Sequence, residues 1–184
     1  MMEQQLTIFQ KGEILDELNN TFQGVQTFSA SLAQQQFVWK PGSKWSVAEN
    51  LDHLIRSTKG LASALKMPKI AIRAFGIPNR PSRDFRGLVD KYHSKLQEGG
   101  VANGPYVPEE NSQFDQSKML SNWNMIGGKF QKRLGTWSEK NLDNYLLPHP
   151  LLGKLTIREM MFFTIYHNNH HLRAMQALID AQQQ

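Results

Sequence analysis

The sequence predicts an all-α protein of 184 residues, built as a four-helix bundle. Four long segments place apolar residues three to five positions apart, which is the spacing of one face of a helix. Two segments begin with the pattern Ser/Thr-x-x-Glu, which is typical of a helix start. No segment alternates apolar and polar residues over a convincing length, so no strand is predicted. We expect residues 1–184 to form a single domain.

A strong break separates the first two predicted helices. An apolar stripe predicts the first helix over 3–36, and Pro41-Gly42 interrupts the chain after it. Ser46 and Glu49 then form a capping box, in which the serine caps the helix start and the glutamate reaches back to the cap amide. The second helix is expected over 47–66.

A long irregular connector, residues 68–115, joins the second and third helices. Proline and glycine interrupt it repeatedly, with one short helix expected over 84–97. Between residues 66 and 95, eight basic side chains stand against two acidic ones, which accounts for the net charge of +5. Such a segment attracts an anionic substrate, nucleic acid or lipid, or is simply a solvated connector. The even spread of the charges favours the connector, and long connections of this kind are often functional, for instance as lids.

The second half of the chain repeats the helix signals. An apolar face predicts the third helix over 116–138, and a turn-rich loop follows at 146–153. Thr156 and Glu159 form the second capping box, so the fourth helix is expected over 157–181.

Composition excludes several kinds of chemistry. The chain has no cysteine, so disulfides, thiolate ligands and cysteine nucleophiles are excluded, and any metal must be held by nitrogen and oxygen. The N-terminus lacks the pattern of a secretion signal, and no apolar stretch approaches the ~20 residues that a membrane span needs. A cytoplasmic protein without membrane contact is therefore expected.

The most informative motif is a histidine cluster in the fourth helix. Three of the six histidines fall within residues 167–171. His167 and His171 are four apart, so their Cβ atoms lie roughly 5–6 Å apart on one helix face and the two imidazoles can share a divalent metal. His170 also points roughly that way, as an alternative ligand or a neighbour of the ligands. A metal site needs at least one further ligand from elsewhere in the fold.

His53 is the candidate for that further ligand. It lies two turns into the second helix among apolar residues, where a buried imidazole needs a partner. Three histidine ligands leave positions on the metal open for water or substrate, which is typical of a catalytic site, and neutral imidazoles suit Zn²⁺, Ni²⁺, Fe²⁺ or Mn²⁺. His93 and His149, in the connector and a loop, are interpreted as surface residues.

Three motifs in order resemble the DinB/YfiT-like superfamily over essentially the whole chain. They are WSVAENLDHL at 45–54, HPLLGKLT at 149–156 and HNNHH at 167–171. The resemblance implies a four-helix bundle with an up-up-down-down course and a metal bound by His53, His167 and His171. It also implies a metal-dependent enzyme, because the family includes thiol-dependent S-transferases, isomerases and members described as metal-dependent hydrolases.

Two kinds of function remain open from the sequence. The first is a metal-dependent thiol S-transferase or hydrolase acting on a small molecule, for which an anionic thiol would suit the basic connector. The second is a non-catalytic metal-containing module that binds a ligand or partner. Nucleic-acid binding is not expected, because the basic residues lie in a loop rather than along a recognition helix. Long amphipathic helices make a homodimer plausible.

Four further residues are weak candidates for the site. Glu49 is the only obvious carboxylate near His53 and a candidate general base, although its capping role competes. Arg56, Tyr92 and Trp45 are candidates to line a substrate pocket.

Overall fold

The computed structural model describes residues 10–109 and 113–182, and it confirms the four-helix bundle. The bundle consists of α1 (Lys11–Ala30), α3 (Val47–Lys66), α6 (Gln116–Gly135) and α8 (Ile157–Gln182). Shorter elements join them: α2 (Gln34–Val38), α4 (Lys69–Ile72), α5 (Phe85–Gln97), α7 (Glu139–Asn144), β1 (Leu146–His149) and β2 (Gly153–Thr156). None of the described helices is long and apolar enough to cross a membrane.

Helices α1 and α6 lie side by side in opposite directions. At one end, the Lys11 ammonium donates to the carbonyl of Gly135 at 2.7 Å. At the other end, the side-chain amide of Gln116 donates to the carbonyl of Ser29 at 2.7 Å. Because the first residues of each helix meet the last residues of the other, the two helices are antiparallel.

The remaining contacts overturn the expected up-up-down-down course. Helix α3 ends beside the end of α6, where the Trp137 indole donates to the Leu65 carbonyl at 3.4 Å, so these two helices run in the same direction. Helix α8 is antiparallel to α3, since His171 contacts Asn50 early in α3 while His167 contacts His53 one turn later. The bundle therefore runs up-down-down-up.

This course explains the long connector. Two parallel helices that follow each other in the chain need a link that returns along the bundle, and a helix of 20 residues is about 30 Å long. The connector makes that return, and its helix α5 packs against α8. Helix periodicity predicts which faces are buried but not which helix ends meet, which is why the predicted course was wrong.

A buried carboxylate holds the connector on the bundle. Glu159, in the first turn of α8, is fully buried and accepts hydrogen bonds from the two terminal guanidinium nitrogens of Arg80, at 2.7 and 3.0 Å. It also accepts the backbone and side-chain N–H groups of Arg83 and the Thr156 amide of the second capping box. Burial alone would raise the pKa of Glu159, but these donors lower it, so the carboxylate stays charged.

The first predicted helix is shorter than its apolar stripe. Helix α1 ends at Ala30 and α2 is a separate short helix, while residues 3–9 of the prediction lie outside the described part of the chain. The break has a tertiary cause. The side-chain amide of Gln116 donates to the carbonyls of Ser29 and Leu32, so these carbonyls do not need the backbone N–H groups that a longer helix would provide.

The other helices agree closely with expectation, but the turn-rich loop is a hairpin. Helices α3, α5 and α8 match their predicted ranges within one residue, and α6 ends three residues early, at Gly135. Residues of β1 and β2 pair antiparallel around a turn that Gly153 closes at a φ of +75°. The sequence does not predict these strands, because each has only four residues and Pro148 breaks any alternation.

Candidate metal centre

Three buried histidines converge between α3 and α8. The Nε2 atom of His167 lies 3.0 Å from Nε2 of His53 and 3.2 Å from Nε2 of His171. The capping box at Ser46 sets where α3 begins and thereby the height of His53, while the spacing of four residues stacks the other two on one face of α8. Within the described residues, this is the one group of three or more metal-ligand side chains close enough to share an ion.

Hydrogen bonds on the far side of two rings decide which nitrogen carries the proton. Nδ1 of His53 donates to the carbonyl oxygen of Tyr106 at 2.7 Å. Nδ1 of His171 donates to the amide oxygen of Asn50 at 2.7 Å, and the Asn50 NH₂ group donates to the carbonyl of Ser46 at 2.8 Å. Since both rings carry their proton on Nδ1, their Nε2 lone pairs point at the cluster centre, which is the arrangement that metal-binding histidines use.

The cluster is suited to a divalent cation rather than to protons. Burial lowers the pKa of His53, and it lowers the pKa values of His167 and His171 well below 6.5, with mutual repulsion between the rings adding to the effect. Two pairs of neutral rings then face each other with their nitrogens 3.0 and 3.2 Å apart, and all three ligand atoms lie within 4.8 Å of one another. Nitrogens that bind one Zn²⁺ at about 2.0–2.1 Å are themselves about 3.0–3.4 Å apart, so the spacing of these two pairs fits a shared ion.

A cavity of about 380 Å³ opens beside the three histidines. No Asp, Glu, Lys or Arg is among the described residues that line it. The walls are largely apolar and come from α3, the connector with its helix α5, the hairpin and α8; they include Leu61, Ala64, Phe75, Leu96, Leu147, Leu151, Met160 and Phe163. The returning connector closes one side of this cavity, so the up-down-down-up course is what creates it.

Two of the weak candidates line the cavity. The indole of Trp45 lies over the cluster, with ring centroids 5.2 Å from His53 and 6.2 Å from His171. Tyr92, on α5, is buried and presents its ring to His170 and Phe163.

Glu49 does not line the cavity. Its carboxylate accepts the Ser46 amide at 2.7 Å and pairs with Lys40 at 2.6 Å. Burial alone would raise the pKa of Glu49, but these contacts lower it. Its position is that of a helix cap, with both oxygens already engaged.

Arg56 also lies outside the cavity lining and is held by carboxylates. It donates to Asp52 at 2.7 Å and to Glu109 at 3.0 Å. The basic side chains of the connector likewise interact with groups of this chain. Of the eight basic residues between 66 and 95, seven contact a carboxylate, a carbonyl or an aromatic ring of this chain: Lys69, Arg73, Arg80, Arg83, Arg86, Lys91 and Lys95.

The other histidines divide between cavity and surface. His93 is exposed, as expected. His170 lines the cavity beside the cluster and is not among the three converging side chains. The interpretation of His149 as a surface residue is wrong, because it is half-buried at the end of β1 and lines the cavity. The hairpin turns it inward, and that pairing has no signal in the local sequence.

Sequence reasoning missed three parts of the site. Asn50 precedes His53 by three residues, so a polar side chain on the same helix face was a detectable signal. The Tyr106 contact is made by a backbone carbonyl of the connector, which leaves no trace in residue type. The only signal for His149 as a site residue was its residue type, because the local sequence does not predict the hairpin that turns it towards the cavity.

The chain belongs to the DinB superfamily, whose family model matches residues 17–175. The expected family membership is thereby confirmed. No curated protein matches the chain.

Three solved structures share the fold at low sequence identity. YfiT from Bacillus subtilis, described as a probable metal-dependent hydrolase with an unusual four-helix bundle topology, is 16% identical with a TM-score of 0.62, covering 99% of this chain and 93% of that one. The four-helix bundle protein TT2238 is 14% identical with a TM-score of 0.57, covering 91% and 98%. The colibactin self-resistance protein ClbS, solved in complex with double-stranded DNA, is 14% identical with a TM-score of 0.53, covering 92% and 95%.

Proposed function

We propose that this protein is an enzyme that acts on a small molecule with a divalent metal ion held by His53, His167 and His171. The observation that supports the proposal is the convergence of three Nε2 atoms at 3.0 and 3.2 Å on the edge of a cavity. A structural zinc site normally has four protein ligands, whereas three leave a position open towards the cavity.

The chain's own groups prepare this site for chemistry. A bound divalent ion would supply a Lewis acid that lowers the pKa of a coordinated water or thiol. The Tyr106 carbonyl and the Asn50 amide orient two of the ligand rings, and the Trp45 indole shields them from solvent. The apolar walls exclude water, which strengthens every electrostatic interaction inside the cavity.

The cavity lining favours thiol transfer over hydrolysis. Hydrolysis usually uses a general base near the metal-bound water. Glu49 is engaged in its capping box, and no carboxylate occurs among the described lining residues. A metal-activated thiolate needs no such base, because it is itself the nucleophile. Since no Lys or Arg occurs among the described lining residues, we expect any anionic part of the thiol to lie at the cavity mouth rather than inside.

The first test is metal content followed by activity on two matched reagents. Elemental analysis of untagged protein should find about one metal ion per chain, and almost none in a His53→Ala/His167→Ala double variant, with His93→Ala as the control that keeps its metal. Metal-loaded protein should then catalyse the displacement of chloride from 1-chloro-2,4-dinitrobenzene by low-molecular-weight thiols, and should leave p-nitrophenyl acetate largely unhydrolysed.

Each outcome separates the alternatives. Hydrolysis without thiol transfer would favour the hydrolase, which is the class described for the YfiT neighbour. Metal binding without either activity would favour a non-catalytic binding module. Absence of metal after incubation with Zn²⁺, Ni²⁺, Fe²⁺ and Mn²⁺ would refute the proposed centre.

Nucleic-acid binding, dimerisation and location stay predictions. The ClbS neighbour was solved with DNA, but the basic connector of this chain is largely engaged by its own residues. We therefore expect no salt-dependent binding of duplex DNA in a fluorescence anisotropy titration. A homodimer and a cytoplasmic location are expectations from the sequence.

A further inference from the structure

His149 occupies a built position in the cavity wall. It ends β1, opposite Gly153, and its ring packs edge-on against Phe163 with the centroids 4.3 Å apart. The Lys91 ammonium donates to the Leu152 carbonyl at 2.6 Å and so ties the hairpin turn to α5. The imidazole is thus held from three sides, by the strand, the turn and the aromatic ring.

The turn determines the tautomer of this imidazole. Pro150 has no N–H, so the first two amides after His149 are those of Leu151 and Leu152, and they donate to its Nδ1 at 3.2 and 3.1 Å. An atom that accepts two hydrogen bonds carries no proton, so the neutral ring carries its proton on Nε2. Nε2 makes no hydrogen bond to the described part of the chain, although the residue lines the cavity.

The ring stays neutral at physiological pH. Burial, helped by the positive charge of Lys91, lowers the pKa of His149 to about 4. Nε2–H is therefore a neutral donor with a fixed direction. This arrangement is opposite to that of His53 and His171, whose protons are on Nδ1 and whose Nε2 atoms are acceptors.

The composition of the wall restricts what this donor can bind. No charged side chain occurs among the described lining residues, so away from the three-histidine cluster an ionised group inside the cavity would lose its hydration without a counter-charge. Two of the lining hydroxyls, Ser57 and Thr164, already donate to carbonyls of their own helices. Thr58, Tyr92 and Tyr106 also bring hydroxyl groups to the lining, but a hydroxyl can rotate, whereas the turn fixes the direction of the Nε2–H donor of His149.

We infer that the cavity binds an uncharged, largely apolar molecule, such as an aryl ketone or amide, whose acceptor oxygen takes the Nε2–H of His149. The binding of such a molecule does not depend on the proposed function; only its role as the substrate of the metal-dependent reaction does. His149 would then orient the substrate and polarise its acceptor group, while the three-histidine centre supplies the nucleophile.

The tautomer can be read directly by nitrogen NMR of protein labelled with ¹⁵N-histidine. His149 should show an unprotonated Nδ1 and a protonated Nε2 at pH 7, with the resonances assigned by their loss in His149→Asn. Asparagine is the matched variant because its side-chain oxygen can accept the same two backbone amides and so keeps the turn. It removes the Nε2–H donor together with the ring that packs against Phe163, and the probe without an oxygen controls for the lost packing. A proton on Nδ1 would overturn the inference.

Three probes of similar shape then test the ligand class: acetophenone, α-methylstyrene without the oxygen, and benzoate with a charge. Acetophenone should bind, and His149→Asn should weaken it about threefold to tenfold while leaving α-methylstyrene within about twofold. Benzoate should bind the metal-free protein more weakly than acetophenone. Equal weakening of both uncharged probes, tightest binding of benzoate to the metal-free protein, or no binding of acetophenone at millimolar concentration would each overturn the inference.

The titrations are performed on metal-free and on zinc-loaded protein. Binding of acetophenone to a protein that takes up no zinc would refute the proposed metal centre and leave the ligand class standing. Zinc binding without the His149-dependent preference would refute the ligand class and leave the metal centre standing.

Discussion

Replacing Asn50 by alanine should weaken metal binding without touching a ligand. Asn50 is buried, and its amide oxygen accepts the Nδ1–H of His171 at 2.7 Å. Its NH₂ group donates to the carbonyl of Ser46 at 2.8 Å, so the orientation of the amide is determined. Alanine would leave the His171 ring free to turn and its Nδ1–H without an acceptor.

The expected magnitude follows from these contacts. Removing a residue that orients a metal-binding histidine typically costs 10–100-fold in metal affinity, or about 1.4–2.7 kcal/mol. Stability of the metal-free protein should fall as well. Two short buried hydrogen bonds are lost, each contributing about 1 kcal/mol, so we expect about 2 kcal/mol less free energy of unfolding. Asn50→Asp keeps an acceptor for His171 but loses the donor to the Ser46 carbonyl, so it should retain more zinc affinity than Asn50→Ala.

Zinc affinity is measured by competition with a chromophoric chelator, and folding is checked by circular dichroism. Ser63→Ala is the control on the same helix, because its hydroxyl only donates to the exposed Lys59 carbonyl, and it should leave zinc affinity unchanged. Native zinc affinity in a folded Asn50→Ala protein would refute the assignment of His171 as a ligand oriented by Asn50.

Three further predictions concern the ligands, pH and the connector. His53→Ala or His171→Ala should each lower zinc affinity at least about 100-fold in the chelator competition, while His93→Ala should not; equal affinities would contradict the site. The free energy of unfolding of the metal-free protein should fall as pH drops from 7.5 to 5.5. The three clustered histidines have lowered pKa values, so the unfolded chain binds protons near pH 6.5 that the folded protein does not; urea titrations that give equal stability at both pH values would be inconsistent with this. Glu159→Gln should cost about 2 kcal/mol in urea unfolding, because two half-buried guanidinium groups lose the charge of the buried carboxylate that pairs with them, and the exposed Glu98→Gln should cost nothing measurable.

The helix boundaries show how much of the fold is local. Helices α3 and α8 begin one residue after Ser46 and Thr156, where the capping boxes predict them, because a cap satisfies backbone N–H groups with side chains three residues away. The residue types of the metal centre were local as well. Two histidines four apart and a third among apolar residues of another helix nominate His53, His167 and His171. Spacing left His170 as an alternative to His171, and the structure brings the set that the family resemblance implied together.

The tertiary structure decided everything that depends on residues distant in sequence. The end of α1 depends on Gln116, which follows it by more than 80 residues. The direction of each helix, and hence the place of the connector over the cavity, depends on which helix ends meet.

The surroundings of the histidines were decided in the same way. The carbonyl of Tyr106 contacts His53 through the backbone, and any residue type could provide it. His149 enters the cavity because two four-residue strands pair, which neither strand's own sequence predicts. The sequence by itself therefore determined the helices and the candidate ligands, with His170 as an alternative to His171, since periodicity, capping and the spacing of the histidine pair act within a few turns of one helix. Only the tertiary structure decided the course of the bundle, the tautomers of the imidazoles and the uncharged cavity beside them, because these properties arise from contacts between segments that the chain brings together only on folding.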